Sequence, residues 1–438
     1  MKKMIIFTTL FFNRVGNQSM FETVKQYSKH YDVYIVTSAS AKDDYYMSSQ
    51  EAKESLPDNV FFFRQSGWFK DIFRFIIGNI IKILPIKKGF KEVKTEHHLQ
   101  NLNYSFLNII SFYVSYFTLF LFAGKLKLFG KIPKADFICA YEIGGVTPAI
   151  RFKKTFNRKA KLFSKMQGTI LYDAILKGIE KYDMNYSLDH GAYSKLKGFD
   201  LVCMTNDGTN GDYVLQHYGL KPSSYLHIMN GISERVVKFS EKYTYEIQKR
   251  PIIKLVTVSR LVGWKRVYLG IELLNLLVNK KKRKDFTFDI YGHGNEEEVV
   301  FLKTLIEKYN LHGYVTIKGK ISHDKVASVM TDADFLVSLY KMTNVTNPLL
   351  ESMFLNVPII TLADSSLLSI VKNDEKKNRY IFEEADENSV INQISEFLHN
   401  CDMEQVRLKR FALNGIVPFE LMTWEKRINT EVKRLNSI

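Results

Sequence analysis

Short apolar runs alternate with stretches of helical periodicity along this chain. Runs of this kind fall at Met4–Leu10, Val33–Thr37, Val60–Phe63, Phe137–Tyr141, Leu162–Met166, Leu201–Thr205 and Tyr225–Met229. A second set falls at Lys254–Val258, Phe286–Ile290, Val315–Lys318, Phe335–Ser338 and Ile359–Thr361. Apolar runs that alternate with helices predict parallel sheets built from βαβ units. Two sets predict two doubly wound α/β domains. The polar stretch Ser233–Arg250 is the expected linker, and a last helix from about Trp424 crosses back to the first sheet. The expected division is residues 1–235, residues 250–415, and a crossing helix in 416–438.

Between the third and fourth runs the pattern changes. Phe106–Ala123 is 18 residues without a charge, about 27 Å as a helix and close to the thickness of a bilayer core. The runs on either side of it are expected in one sheet, and a single crossing would put them on opposite sides of a membrane. Asn108, Ser111, Ser115 and Thr118 also form a polar stripe on one helical face. The expected element is therefore a helix packed on its own domain, either plainly buried or dipping into one leaflet. Trp68–Lys88 mixes aromatic and aliphatic residues with Lys70, Arg74, Lys82, Lys87 and Lys88, a basic amphipathic pattern suited to a membrane interface.

Composition sharpens this picture in one place. Of a net charge of +16, residues 64–165 carry +14, from 19 Lys+Arg and 5 Asp+Glu. Such a patch attracts polyanions. The interleaved residues are Phe and Ile runs rather than isolated stacking aromatics, so an anionic membrane surface is expected and nucleic acid is not. Cys139, Cys203 and Cys401 are too few and too scattered for a disulfide framework or a zinc site, and read as thiols of a reducing compartment. The N-terminal run has no small-residue cleavage site and reads as a buried strand rather than a signal peptide.

The candidate chemistry follows the eighth run. Arg260 and Lys265 lie just past its carboxyl end, where open α/β sheets bind ligands. A forked guanidinium and a point charge suit a diphosphate. Tyr291-Gly292-His293-Gly294 forms a glycine-rich turn, with His293 read as a polar turn residue rather than a base. Val345 to Glu351 looks like a helix start, with Asn347 as N-cap and Pro348 as first helical residue. Its free amides and dipole suit a phosphate, and Glu351 suits a ribose diol. Asp332 and Asp334 are expected at a helix end and a strand entry, not on a metal.

In order and spacing these residues resemble the retaining glycosyltransferases of family 4, which have the GT-B fold: two doubly wound Rossmann-like domains facing a cleft. Arg260-Leu261 to Lys265 resemble the family's R-L-x-x-x-K motif, and Gly292 with Gly294 its G-x-G turn. Ala333-Asp334-Phe335 resembles its aspartate-led strand. Glu351 with Asn356-Val357-Pro358-Ile359 resembles the second of its two glutamates and the G-V-P-V run. Asn230-Gly231-Ile232 and Thr423-Trp424-Glu425-Lys426 resemble its junction and terminal segments. The first glutamate of the pair falls at Thr343, and Gln167-Gly168-Thr169 stands where the family often has His-Gly. The N-terminal glycine loop is reduced to Gly16.

The resemblance implies a nucleotide-sugar donor held by Gly16, Arg260, Lys265, Gly292, Gly294, Asn347 and Glu351. Thr343, Asn344 and Thr346 would contact the sugar through neutral groups. Arg260 and Lys265 would stabilise the leaving diphosphate in a same-face displacement, with no metal and no cofactor beyond the nucleotide sugar. Glu142 and Gln167 are the acceptor-side candidates, Glu142 either touching the acceptor or capping the next helix. The acceptor implied is a lipid-linked saccharide of a cell-surface polysaccharide, and the location is the inner face of the cell membrane. Two readings compete. One is a GT-B nucleotide-sugar epimerase. The other is a degenerate, non-catalytic membrane scaffold, which Thr343 and Gln167 favour.

Overall fold

The computed structural model describes residues 1–10, 18–38, 56–65, 106–179, 183, 185–341, 343–371, 377–418 and 421–438. Gly16 and the basic segment Trp68–Lys88 lie outside these residues. The chain separates into two compact units: one takes the described residues up to Asn230 together with Trp424–Ile438, and the other takes Gly231–Thr423.

The first unit holds seven parallel strands: β1 (Lys2–Thr8), β2 (Tyr31–Thr37), β3 (Val60–Arg64), β4 (Phe137–Tyr141), β5 (Lys161–Met166), β6 (Leu201–Thr205) and β7 (Tyr225–Ile228). Their order is β3-β2-β1-β4-β5-β6-β7. The order reverses between β1 and β4, which is the switch point of a doubly wound sheet. β4 (Phe-Ile-Cys-Ala-Tyr) and β6 (Leu-Val-Cys-Met-Thr) are buried along their whole length, as expected where helices cover both faces. Leu119, Ala123, Val146 and Phe152 fill one face. Met20, Val24, Tyr27, Trp424 and Ile428 fill the other, so the helix Trp424–Asn436 packs beside Gln18–Tyr27 in this unit. Cys139 and Cys203 are buried and Cys401 is half-buried.

Ions as well as apolar contacts dock the Trp424 helix. The carboxylate of Glu431 accepts from Lys165 Nζ at 2.7 Å, from Arg427 Nε at 3.1 Å and from the Tyr27 hydroxyl. All three charged side chains are fully enclosed. Arg427 also donates to the Met229 carbonyl and to Thr205. Burial alone would raise the Glu431 pKa, but the two cations and their hydrogen bonds hold it below the usual carboxylate range.

The helix Phe106–Leu128 lies between β3 and β4 in sequence. The strands before and after it, β3 and β4, lie in one sheet. The helix packs on Glu142–Phe156 through Leu119 and Ala123.

The second unit has six parallel strands: β8 (Ile253–Val258), β9 (Phe286–Tyr291), β10 (Val315–Gly319), β11 (Phe335–Ser338), β12 (Ile359–Leu362) and β13 (Arg379–Phe382). Their order, β10-β9-β8-β11-β12-β13, reverses between β8 and β11. The stretch expected as a linker is structured instead. It opens with the helix Glu234–Ser240, and its polar residues are tied into the second unit, Arg235 to Asp324 and Arg250 to Asp332 and Asp334.

Candidate functional site

The carboxyl ends of β8, β9 and β11 meet at the switch point of the second sheet. Past β8, the Ser259 N–H donates to the Tyr291 carbonyl at 3.0 Å and the Leu261 N–H to the His293 carbonyl at 2.8 Å. A Cβ on Gly292 would lie 1.7 Å from the Ser259 oxygen, and one on Gly294 2.1 Å from the Leu261 oxygen. The two glycines therefore let the turn after β9 press against the loop that carries Arg260 and Lys265. Their direct contacts are with backbone.

Arg260 is exposed, whereas Lys265 is buried. The Lys265 ammonium sits 4.0 Å from the Trp264 ring centre and 3.7 Å from that of Tyr340, within the range of cation–π attraction. Tyr340 is enclosed and bonded to Ser259, Thr257 and Ser338, and burial raises its pKa above the ordinary value. The Lys341 N–H donates to the Trp264 carbonyl at 3.1 Å, so the loops after β8 and β11 form one surface. Arg266, the next residue along, has a left-handed φ of 44° and forks onto Glu384 while its Nε donates to the Leu339 carbonyl. It is a structural brace. His293 has its pKa lowered by burial, then by Lys320 and Arg260, which makes it a neutral imidazole at pH 7 beside a knot of cations.

The loop after β11 divides its polar residues between two tasks. The Asn344 amide oxygen accepts from the Tyr340 N–H at 3.1 Å and from Ser338, its nitrogen donates to the Tyr340 carbonyl, and its backbone N–H donates to Asp364. That side chain shapes the loop. The hydroxyls of Thr343 and Thr346 are buried and, among the described residues, have no hydrogen-bond partner; such groups are costly in isolation and suit a polar ligand. The helix that follows is Asn347–Phe354. Its N-cap is Thr346, in extended backbone, with Asn347 as first helical residue and Pro348 behind it. The expected capping by Asn347 does not occur, because the extended residue that ends the loop is one position earlier. The helix start still presents its positive end to the loop. Glu351 is buried, and its carboxylate accepts from Ser233 at 3.4 Å.

Asp332 ends the helix His323–Asp332 and Asp334 precedes β11. Asp334 accepts from Arg407 Nε at 2.9 Å, from Arg250 at 3.1 Å and from the Lys254 N–H at 2.9 Å. Lys254 Nζ reaches Asp332 at 2.7 Å. Both carboxylates are consumed by cations and serve to anchor the strands.

In the first unit, Glu142 follows β4 with a left-handed φ of 60°. Its carboxyl accepts the Gln167 N–H at 2.6 Å, past the end of β5; it does not cap the helix that it begins. Burial, then Asp207 and Asp189, push it up to about 8 against that hydrogen bond. Burial likewise takes Asp189 up to about 7. The Gln167 side chain donates to the Tyr141 hydroxyl at 2.6 Å. The two acceptor-side candidates are thus adjacent, among acids that come from separate segments and were not expected from the sequence.

Two doubly wound parallel α/β units, the second with cations at its switch point, make the GT-B fold. Solved structures share it across their whole length. HepE (Alr3699) of Anabaena, crystallised with UDP and glucose, is 12% identical, with a TM-score of 0.64 over 100% of both chains. S. aureus TarM is 15% identical, with a TM-score of 0.63 over 100% of this chain and 99% of its own. At these identities the likeness is one of fold. Residues 245–412 match the family of glycosyl transferases group 1. Two curated relatives carry the name colanic acid biosynthesis glycosyltransferase WcaL, a provisional assignment in both. The Escherichia coli protein is 28% identical over 33% of this chain, and the Salmonella typhimurium protein 27% over 36%. The match spans 36% and 39% of those relatives' own length.

Proposed function

We propose that the protein is a retaining glycosyltransferase of family 4 that moves a hexosyl group from a nucleotide sugar to a lipid-linked saccharide in cell-surface polysaccharide synthesis. It would work from the cytoplasmic side as a peripheral membrane protein, without metal or further cofactor. One observation carries the reading. Within the segment matching glycosyl transferases group 1, the loops after β8, β9 and β11 gather Arg260, Lys265, the start of the Asn347 helix and two threonine hydroxyls that have no partner among the described residues at one switch point. That set fits a diphosphate and the neutral hydroxyls of a sugar. HepE was crystallised with UDP and glucose, and the WcaL name places those relatives in colanic acid synthesis; both support the reading by analogy.

In this mechanism Lys265, pre-positioned between Trp264 and Tyr340, and Arg260 meet the diphosphate as negative charge grows on it. Thr343 and Thr346 hold the sugar where the family has a glutamate. Thr343 and Gln167 also favour the second reading, a scaffold without catalysis. Titration of the purified protein with UDP, followed by a hydrolysis screen of UDP-, GDP- and ADP-sugars, separates the two. The proposal expects nucleotide binding and slow release of sugar from one donor class. A folded protein that binds no nucleotide and hydrolyses no donor is the scaffold.

A further inference from the structure

The helix Phe106–Leu128 buries Leu119 and Ala123 yet leaves large apolar side chains on its outer side as well. Its buried side includes hydroxyls: Ser115 is 4% and Thr118 7% exposed. Ser115 donates to the Ser111 carbonyl and Thr118 to the Ser115 carbonyl and Gln65. Its outer side carries Tyr113 (46% exposed), Phe117 (46%) and Leu121 (50%), and just beyond lie Leu128 (79%) and Phe129 (70%). Tyr113, Phe117 and Leu121 are spaced by four and form one stripe. An amphipathic helix on a soluble domain turns such residues inward, and a contiguous exposed apolar stripe marks an interaction surface.

The charges beside the stripe name its partner. From residue 106 to residue 165 there are eleven Lys or Arg and two acids, Asp136 and Glu142. Asp136 is turned to the Lys3 N–H at 2.7 Å, and Glu142 to Gln167. Lys125, Lys131 and Lys134 are exposed, and among the described residues none has an ion-pair partner. The Arg151 guanidinium lies 5.4 Å from the Phe117 ring centre and Lys125 Nζ 6.0 Å from that of Phe129, so cations and apolar side chains share one surface. Burial lowers the Lys127 pKa, and Lys134 and Lys3 lower it further, the sign of cations crowded without a counter-charge. A protein partner of ordinary composition matches one of these two features. The interface of an anionic bilayer matches both, with acyl chains for the stripe and headgroups for the cations.

We infer that the outer face of the helix Phe106–Leu128 inserts in the plane of one leaflet of an anionic membrane, with Phe117 and Leu121 at its centre and Lys125, Lys131 and Lys134 on the headgroups. β1 and β4 lie side by side in the sheet, which keeps the helix on one side of the membrane. This deepens the peripheral attachment proposed above by naming its surface; it does not depend on the identity of the donor.

The full chain is sedimented with vesicles of phosphatidylcholine, with and without 30% phosphatidylglycerol (roughly the anionic fraction that draws polybasic segments). The wild type should sediment with the anionic vesicles and be partly released by salt. Phe117→Gln with Leu121→Gln should weaken that binding by roughly tenfold or more, since two exposed apolar side chains leave the interface. The melting temperature and UDP binding should stay at wild-type values. In Phe117→Trp the added indole emission should shift to the blue on anionic vesicles and be quenched by brominated acyl chains. Unchanged vesicle binding in the Gln variant, or an indole that stays in water while the protein sediments, overturns the inference. So does a dimer that the Gln variant dissociates without loss of vesicle binding, because the face is then a self-interface. Loss of UDP binding with vesicle binding intact would count against the glycosyltransferase reading alone.

Discussion

The two sheets share a topology, each with one reversal of strand order, yet their carboxyl edges carry different ionisable groups, carboxyls at one and cations at the other. At the second sheet the reversal places Arg260 and Lys320 near His293, with Lys265 on the same loop against Trp264. At the first, the same position gathers Glu142, with Asp189 and Asp207 near enough to raise its pKa. The architecture supplies a place for ligands in both, and the side chains decide which chemistry each place admits. A cationic edge with a helix start suits phosphate. An acidic edge whose carboxyls are held partly protonated suits a hydroxyl-rich partner that needs both donors and acceptors. The way each unit holds a buried cation differs as well. Lys165 is enclosed against the carboxylate of Glu431, and its charge is neutralised. The Lys265 ammonium lies against the faces of two aromatic rings, within the range of cation–π attraction.

The strongest test of that contrast is to remove the carboxylate that holds Lys165. Glu431→Gln leaves Lys165 and Arg427 buried beside a neutral amide. It should cost about 3–5 kcal/mol of stability, the usual result of breaking a buried pair on one side. Chemical denaturation measures it; a loss below about 1 kcal/mol would show that the network is not a structural charge pair. In the second unit, Arg260→Ala or Lys265→Ala should instead spare the fold and cost about 2–4 kcal/mol in kcat/KM, as for loss of a donor to a developing anion. Steady-state kinetics on the donor that the screen identifies is the measurement. Turnover within threefold of wild type in both variants would sink their assignment to the leaving group.

The same contrast explains how much the sequence disclosed. The strands of both sheets are legible because burial on both faces demands unbroken apolar runs such as Leu201–Thr205. β13 (Arg379–Phe382) escaped, being short, opening on an arginine and lying at the sheet edge. The placement of Arg260 and Lys265 past a strand end was legible for the reason that strand was. The cage around Lys265 was not, since Tyr340 is brought to Trp264 only by the pairing of β11 with β8. The acidic edge was hidden in the same way, because Glu142, Asp189 and Asp207 follow different elements. The stripe Ser111, Ser115 and Thr118 was visible by its spacing, but spacing does not say which face turns inward. Ser115 and Thr118 are buried beside Leu119 and Ala123, while Tyr113, Phe117 and Leu121 stay exposed, and that exposure is what singles out the outer face.

The smallest expected effect concerns the protons of the acidic edge. Glu142 is pushed up to about 8 in the folded protein, above the ordinary carboxylate value near 4.3 in an unfolded chain. Between those values the folded state binds the extra proton, so stability falls as pH rises. The sign follows directly: the contribution is fully present below the unfolded pKa and is lost as pH climbs through the folded one. Wild-type melting temperature should therefore decline from about pH 5 to about pH 8 more steeply than that of Glu142→Gln. The amide oxygen of glutamine can still accept the Gln167 N–H, so the two proteins should differ least at pH 5 and most near pH 9, with the variant then the more stable. The difference between the two curves cancels the titration of groups that the substitution leaves alone. Asp189, itself raised to about 7 by burial, should keep part of the slope in the variant. Parallel curves for the two proteins would mean that Glu142 is already ionised at neutral pH, and the two edges would then differ in the sign of a full charge.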